Sequence, residues 1–125
     1  MKEIEFKTAT VSLRSDNIIE VHVNSNLLIT KAEVTEIVDA IGLIGSYKKY
    51  PVLIIAGEYS LPDSNARPYL ATPEANKYTI AVGFVIKNTA QKLMANVYLK
   101  IDKPLTPTQF FTSDTEAVKW LLGYL

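Results

Sequence analysis

Two apolar runs decide the fold of this chain: residues 52–56 (VLIIA) and residues 80–86 (IAVGFVI). Neither run alternates with polar residues, which is typical of strands that are covered on both faces of a sheet. Pro51 precedes the first run and Gly57 follows it, which marks its ends. Because helical patterns separate the buried strands, we expect crossover connections and a parallel portion of the sheet.

An antiparallel hairpin is predicted before the first run, over residues 9–14 and 18–24. Both segments alternate between apolar and polar residues, as strands with one buried face do. Ser15, Asp16 and Asn17 lie between the segments and tolerate the backbone angles of a tight turn. The inward-facing residues of the hairpin are Val11, Leu13, Ile19, Val21 and Val23.

Two helices have clear start signals. Thr30 and Glu33 fit a capping box, as do Ser113 and Glu116 near the end of the chain. An apolar stripe at helical spacing follows each of them, and residues 108–111 are predicted to form a short strand before the second. The stripe residues are Val34, Ile37, Val38, Ile41 and Ile44 in the first helix, and Ala117, Val118, Leu121 and Leu122 in the last.

A third helix is predicted over residues 88–101. Asn88 is a suitable cap, and Pro104 lies beyond the end of the pattern. Its apolar stripe is expected to pack against the sheet, with Leu99 off the stripe. The stripe comprises Ala90, Leu93, Met94, Val97 and Ile101.

Residues 58–79 are predicted to form short helices. Ser60 and Thr72 each precede a proline, which is a common way for a helix to start. A break is expected near Pro68, because proline in a helix interior removes a hydrogen bond and clashes with the preceding turn. The chain as a whole is therefore predicted to be one α/β (α+β) domain over residues 1–125, with a four- to five-stranded mixed sheet, an N-terminal hairpin and about four helices.

Composition excludes several classes of function. The 13 Lys+Arg balance the 13 Asp+Glu, and Arg14 and Arg67 are the only arginines, so we expect no nucleic-acid partner. The chain has no cysteine and His22 is its one histidine, which leaves no zinc site and no thiol chemistry. We expect no metal and no cofactor. The first residues, MKEIEFKTAT, lack the apolar run of a signal peptide, and a cytoplasmic location is expected.

No catalytic residue is predicted. The glycines form no phosphate-binding pattern, and His22 has no evident serine partner. Glu33 and Glu36 share a helix face but are expected to be exposed, whereas general acid–base catalysis needs a desolvated carboxylate. We therefore expect a protein without enzymatic activity.

Two groups of residues are candidates for binding. Tyr59, Asp63, Ser64 and Tyr69 lie in the segment between the buried strands, where a loop surface could form an interface. The second group belongs to the helix over residues 88–101. Lys92 and Lys100 flank its apolar residues. The helix would therefore either pack on the sheet with ordinary solvated lysines, lie on an anionic lipid surface, or cover an apolar pocket. The candidate residues in the helix are Met94, Tyr98 and Leu99.

The order of elements, with the segment NTAQKLMANVYLKIDKPLTPTQFFTSDTEAVKWLL at residues 88–122, resembles the SpoIIAA-like family of the STAS superfamily. Its most specific part is the pairing of KLMANVYLKI with FFTSDTEAVKWL, and the likeness extends over nearly the whole chain. These small domains are related to anti-sigma-factor antagonists and are grouped with lipid-transfer CRAL-TRIO proteins. The resemblance implies a mixed sheet with helices, no catalysis, frequent homodimers, and an apolar ligand or a membrane role.

Antagonists of that superfamily are switched by phosphorylation in an Asp-Ser-Ser/Thr-Gly motif. The nearest match here is Pro62-Asp63-Ser64-Asn65, which has the Asp-Ser pair but neither the second hydroxyl nor the glycine. Pro68 also follows where the helix of that motif would run. We therefore expect Ser64 to be an ordinary loop serine.

Two functions are favoured at this point, and an enzyme is a third, less favoured alternative. The first is a STAS-like regulatory domain that binds a protein partner or a second copy of itself through residues 59–69. The second is a carrier or sensor of an apolar or carboxylate-bearing small molecule or lipid, held beneath the helix over residues 88–101, with peripheral membrane contact.

Overall fold

The computed structural model describes residues 3–125 as a sheet with helices on both faces. The strands are β1 (Glu3–Glu5), β2 (Ala9–Leu13), β3 (Ile19–Val23), β4 (Leu28–Ile29), β5 (Tyr50–Ile55), β6 (Leu61–Pro62), β7 (Thr79–Val85) and β8 (Thr108–Phe111). The helices are α1 (Lys31–Ile44), α2 (Ala66–Leu70), α3 (Thr89–Val97) and α4 (Asp114–Leu122). A π-helical turn (Tyr98–Asp102) continues α3.

The main sheet has six strands in the order β1-β2-β3-β5-β7-β8. β1, β2 and β3 are antiparallel neighbours, whereas β3, β5, β7 and β8 run parallel. The predicted mixed sheet, its N-terminal hairpin and the parallel pairing of the two apolar runs are confirmed. The predicted number of strands was too low, because β1 adds an edge strand beside β2, with Ile4 opposite Val11. β4 and β6 form a separate parallel pair.

Each face of the main sheet is covered by a different set of helices. α1 packs on the face formed by Ile19, Val21 and Val52. α4 packs on the other face, where Leu121 contacts Leu53 and the backbone at Gly83. Since neighbouring residues of a strand point to opposite faces, both apolar runs are buried on both sides.

Residues 58–79 differ from the prediction of two helix starts. β6 forms near Ser60, and α2 is the one helix of this segment. Pro68 lies inside α2 rather than at a break, which is tolerated because N–H groups in the first turn have no helical partner. Thr72 begins a turn instead of a helix, and its hydroxyl accepts from the Ala75 N–H.

The predicted stripe of α3 is also corrected. The Asn88 cap is confirmed, since its side chain accepts from the Gln91 N–H at 3.0 Å. Leu93, Val97 and Ile101 were expected to pack on the sheet, but they are 62%, 40% and 68% exposed. Met94 of the predicted stripe does lie on the inward face, together with Gln91 and Ala95 of α3 and Tyr98 of the π-helical turn.

Candidate ligand cavity

An apolar cavity of about 120 Å³ lies between the main sheet and helices α1 and α3. Alternate residues of a strand point to the same face, so the parallel strands supply the floor of this cavity. Ile54 of β5 and Val82 and Phe84 of β7 line it from the sheet, and Ile37 and Ile41 line it from α1. The cavity is therefore built into the same layer that forms the core beneath α1.

α3 covers the cavity with Met94 and Tyr98. The Tyr98 side chain is buried, and its ring meets Phe84 and Phe110 edge-on, with centroids 6.3 and 6.2 Å away. Phe84 and Phe110 are stacked at 4.7 Å. Aromatic contacts of this kind add stability to that gained by burying the apolar area of the rings. Together the three rings form a wall on one side of the cavity.

A buried amide positions the start of α3. The side chain of Gln91 is 1% exposed, and its Nε2 donates to the carbonyl oxygens of Gly57 at 2.8 Å and Ser60 at 2.9 Å. Its Oε1 accepts from the Lys87 N–H at 2.7 Å. Buried polar groups are stable only when they are paired, and these three bonds fix the rotation of α3 over the sheet.

An ion pair holds the other end of this cover. Arg67 Nε of α2 donates to Asp102 Oδ2 of the π-helical turn at 2.7 Å, and the Asp102 side chain is 6% exposed. In the same turn the Lys103 N–H donates to the Tyr98 carbonyl at 3.1 Å, the i to i+5 bond of a π-helix. The covering segment is thus attached at both ends, by Gln91 and by Asp102.

The three binding residues that were predicted in α3 and its π-helical extension do not share one site. Met94 and Tyr98 face the cavity, whereas Leu99 lines a different groove, between α3 and β8, and is 40% exposed. Tyr98 is buried and therefore lies away from any surface on which the helix would rest. The inner side of this segment therefore has the geometry of a cover over an apolar pocket.

The predicted loop residues do not line the cavity. Tyr59 is 67% exposed with φ 60°, a left-handed conformation that is unusual for a bulky residue. Asp63 accepts from the N–H groups of Asn65 and Ala66, so its carboxylate caps the start of α2. Ser64 is exposed. The ring of Tyr69 packs beside Ile29 and Ala66 and lies 4.9 Å from Lys31 Nζ.

Sequence reasoning missed Gln91, Val82 and Phe84 as residues of this site. Val82 and Phe84 could have been found, because they are alternate residues of an apolar run and must share a face. Gln91 has a weaker signal, its helical spacing of four and seven residues from Ala95 and Tyr98. A glutamine at such a position is predicted as a surface residue unless its tertiary partners are known.

The cavity wall is almost free of ionisable side chains among the residues that the structure describes. Among the described residues that line it, Tyr98 is the one ionisable side chain, and burial with nearby Asp102 raises the pKa of its hydroxyl well above the ordinary value. The phenol therefore stays neutral at any physiological pH. The other polar residues of the wall are Ser60, Asn76, Thr79 and Gln91, and Gln91 is fully engaged with the backbone.

In residues 3–125 no helix has the length and apolar character needed to cross a bilayer. Comparison with curated proteins found no match, and comparison with solved structures found none either. A family model described as a domain of unknown function, DUF7793, matches residues 11–125, which is nearly the whole chain. The chain therefore belongs to the DUF7793 family.

Proposed function

We propose that this protein is a non-enzymatic domain that binds a small, uncharged, apolar molecule in the cavity beneath α3. The observation that carries this proposal is the cavity itself, walled by Val82, Phe84 and Tyr98. Protein interiors are packed as densely as organic crystals, and few voids in them exceed the size of a water molecule. This apolar space of about 120 Å³ is several times the roughly 30 Å³ that one water molecule occupies in the liquid.

Leaving such a space unfilled has a measurable cost. Cavities left by core substitutions cost about 24 cal/mol per Å³, so this volume corresponds to at most about 3 kcal/mol if it is empty and fully enclosed. A domain is stable by only about 5–15 kcal/mol in total. A ligand that fills the space would recover part of this energy, which supports the cavity as a binding site.

Volume and chemistry of the wall restrict the ligand. Engineered apolar cavities of about 150 Å³ hold benzene, so this one suits a single ring or a short branched chain. A full acyl chain exceeds the volume. No lysine, arginine or histidine lies among the lining residues that the structure describes, so a carboxylate would enter without a counter-charge. The carboxylate-bearing and lipid ligands expected at first are therefore disfavoured.

Benzene and indole are suitable probes, with thermal unfolding as the measurement. A ligand present at a hundredfold excess over its Kd stabilises the folded state by about 2.7 kcal/mol, which raises the unfolding temperature by several degrees. We expect benzene to produce such a shift. If neither probe shifts unfolding up to its solubility limit, the cavity is not a binding site for rings of this size and the proposal fails.

A variant with two added methyl groups tests whether the ligand binds inside the cavity. The double substitution Val38→Ile with Val82→Ile extends two lining side chains into the cavity, and we expect higher stability without ligand and a smaller shift with benzene. Val97→Ile adds a methyl on the exposed side of α3 and is the matched control. An equal benzene shift in the filled variant would place the ligand elsewhere.

The SpoIIAA-like reading remains a second candidate function, in the cytoplasm, with residues 59–69 as the interface. Its supporting observation is Tyr59, a large side chain that is held exposed in a left-handed backbone conformation. For a homodimer, sedimentation equilibrium should show a dimer for the wild type and a monomer for Tyr59→Ser. A wild type that stays monomeric at high concentration removes the homodimer form of this candidate.

A further inference from the structure

The outer side of α3 carries an apolar surface that nothing in the described chain covers. Leu93, Val97 and Ile101 are spaced four residues apart, so they lie along one side of the helix and its π-helical extension. Their exposed fractions are 62%, 40% and 68%. We call these three residues the exposed row. Leu105, which is 86% exposed, follows at the same sequence interval.

The exposed row is not explained by packing or by the cavity. Met94 and Tyr98 face the cavity from the adjacent, inward side of the helix and its extension, and Leu99 faces the groove beside β8. A solvated helix has no physical need for aligned Leu, Val and Ile on its outer side, and exposed apolar alignments of this kind mark interaction surfaces. The row is therefore a candidate interface of its own.

The charges around the row indicate what it contacts. Between Leu93 and Leu105 the cations are Lys100 and Lys103, both exposed, and the one acid is Asp102. Asp102 is buried and paired with Arg67, so it presents no free negative charge at this surface. At the other end of α3, Lys87 and Lys92 share a groove with Glu58 and Asp114, which balances them.

We propose that the exposed row docks the protein on an anionic lipid surface, with Lys100 and Lys103 against the headgroups. An apolar side bordered by lysines is the arrangement by which a helix lies in the plane of a membrane interface. Pairing with a second copy along this side would bring two sets of lysines together with no free acid between residues 93 and 105 to offset them. The proposal does not depend on the ligand cavity.

The experiment is vesicle co-sedimentation of the full chain. We expect binding to phosphatidylcholine vesicles that contain phosphatidylserine, and little binding to phosphatidylcholine alone. Lys100→Gln with Lys103→Gln should weaken binding by about 30-fold, since each lysine contributes about fivefold at an anionic surface. Leu93→Gln with Ile101→Gln should weaken it by more than about tenfold, because two exposed anchors are lost.

Leu43→Gln is the matched control, since Leu43 is 59% exposed on α1, outside the row. It should bind vesicles as the wild type does. All the substituted residues are exposed, and unchanged circular dichroism and thermal unfolding would show that the variants are folded. Wild-type protein that does not bind the anionic vesicles, or a Leu93→Gln with Ile101→Gln variant that still binds them fully, would overturn the proposal. A dimer that this variant dissociates would also overturn it, in favour of a second copy.

Discussion

Helices α1 and α3 carry similar apolar patterns and use them in opposite ways. In α1 the stripe that includes Ile37 and Ile41 is buried against the sheet. In α3 the equivalent stripe, with Leu93 and Val97, faces outward. Helical spacing therefore indicates an apolar stripe but not which of its residues face the core, since Met94 of the predicted α3 stripe faces the cavity whereas Leu93 and Val97 do not.

The inward side of α3 is selected by specific contacts rather than by its apolar content. Gln91 makes three hydrogen bonds to the backbone, and Tyr98 meets the rings of Phe84 and Phe110. Turning the stripe of Leu93 toward the sheet would break all of these contacts. The rotation of α3 thus follows from a polar anchor and an aromatic anchor, whereas α1 buries a continuous apolar stripe and adds one side-chain hydrogen bond, from the Thr8 hydroxyl to Glu33.

The largest expected effect is the difference in the free energy of unfolding between the variants Ile41→Ala and Leu93→Ala. Ile41 is 5% exposed in the core, so its truncation should lower the free energy of unfolding by about 3–4 kcal/mol. Leu93 is mostly exposed, and Leu93→Ala should change stability by less than about 0.5 kcal/mol. Urea denaturation measures both. A loss of more than about 1 kcal/mol for Leu93→Ala would show that the outer side of α3 is covered in solution.

The next effect tests the polar anchor of α3. Gln91→Leu preserves side-chain size but leaves two carbonyl groups and one N–H of the backbone without their partner, and it should cost about 3 kcal/mol. Asn96→Leu, on the exposed surface of the same helix, is the control and should stay within about 0.5 kcal/mol. Equal stabilities for the two variants, again by urea denaturation, would mean that the amide does not set the rotation of α3.

This contrast also explains which parts of the fold were predictable. β5 and β7 are long apolar runs, and the caps at Thr30, Asn88 and Ser113 are local signals, so sequence alone located them correctly. β1 and the β4–β6 pair were missed because strands of two or three residues are too short to show a period. The helix break predicted near Pro68 was wrong, because proline is tolerated in the first turn of a helix and disruptive only in its interior.

The candidate site was predictable only in part. Met94 and Tyr98 were singled out on the helix predicted over residues 88–101, and both line the cavity, whereas Leu99 of the same prediction does not. The cavity itself depends on how far α1 and α3 stand from the sheet, which no sequence period records. The ion pair of Arg67 with Asp102 joins residues 35 positions apart, and such a contact leaves no local signal in the sequence.

The smallest expected effect concerns the N-terminal caps of α1 and α3, whose contributions to stability should depend differently on pH. The Thr30 N–H donates to Glu33 at 2.9 Å, and this bond, together with those from the Thr30 and Thr8 hydroxyl groups, holds the pKa of Glu33 below its ordinary value of 4.5. A lowered pKa in the folded state stabilises the protein fully above the unfolded value, and this contribution is lost as the pH falls through the folded pKa. The Asn88 cap of α3 carries no titrating group.

Glu33→Gln keeps the capping hydrogen bonds but removes the charge, and it should cost about 0.5–1 kcal/mol at neutral pH. That difference from the wild type should disappear in acid, because Glu33 is then protonated as well. Asn88→Ala should cost about 1 kcal/mol at every pH, since the lost cap is neutral. Urea denaturation across the acidic range measures both curves. A difference for Glu33→Gln that persists below the folded pKa would trace its effect to packing rather than charge, and α1 and α3 would then begin by the same neutral mechanism.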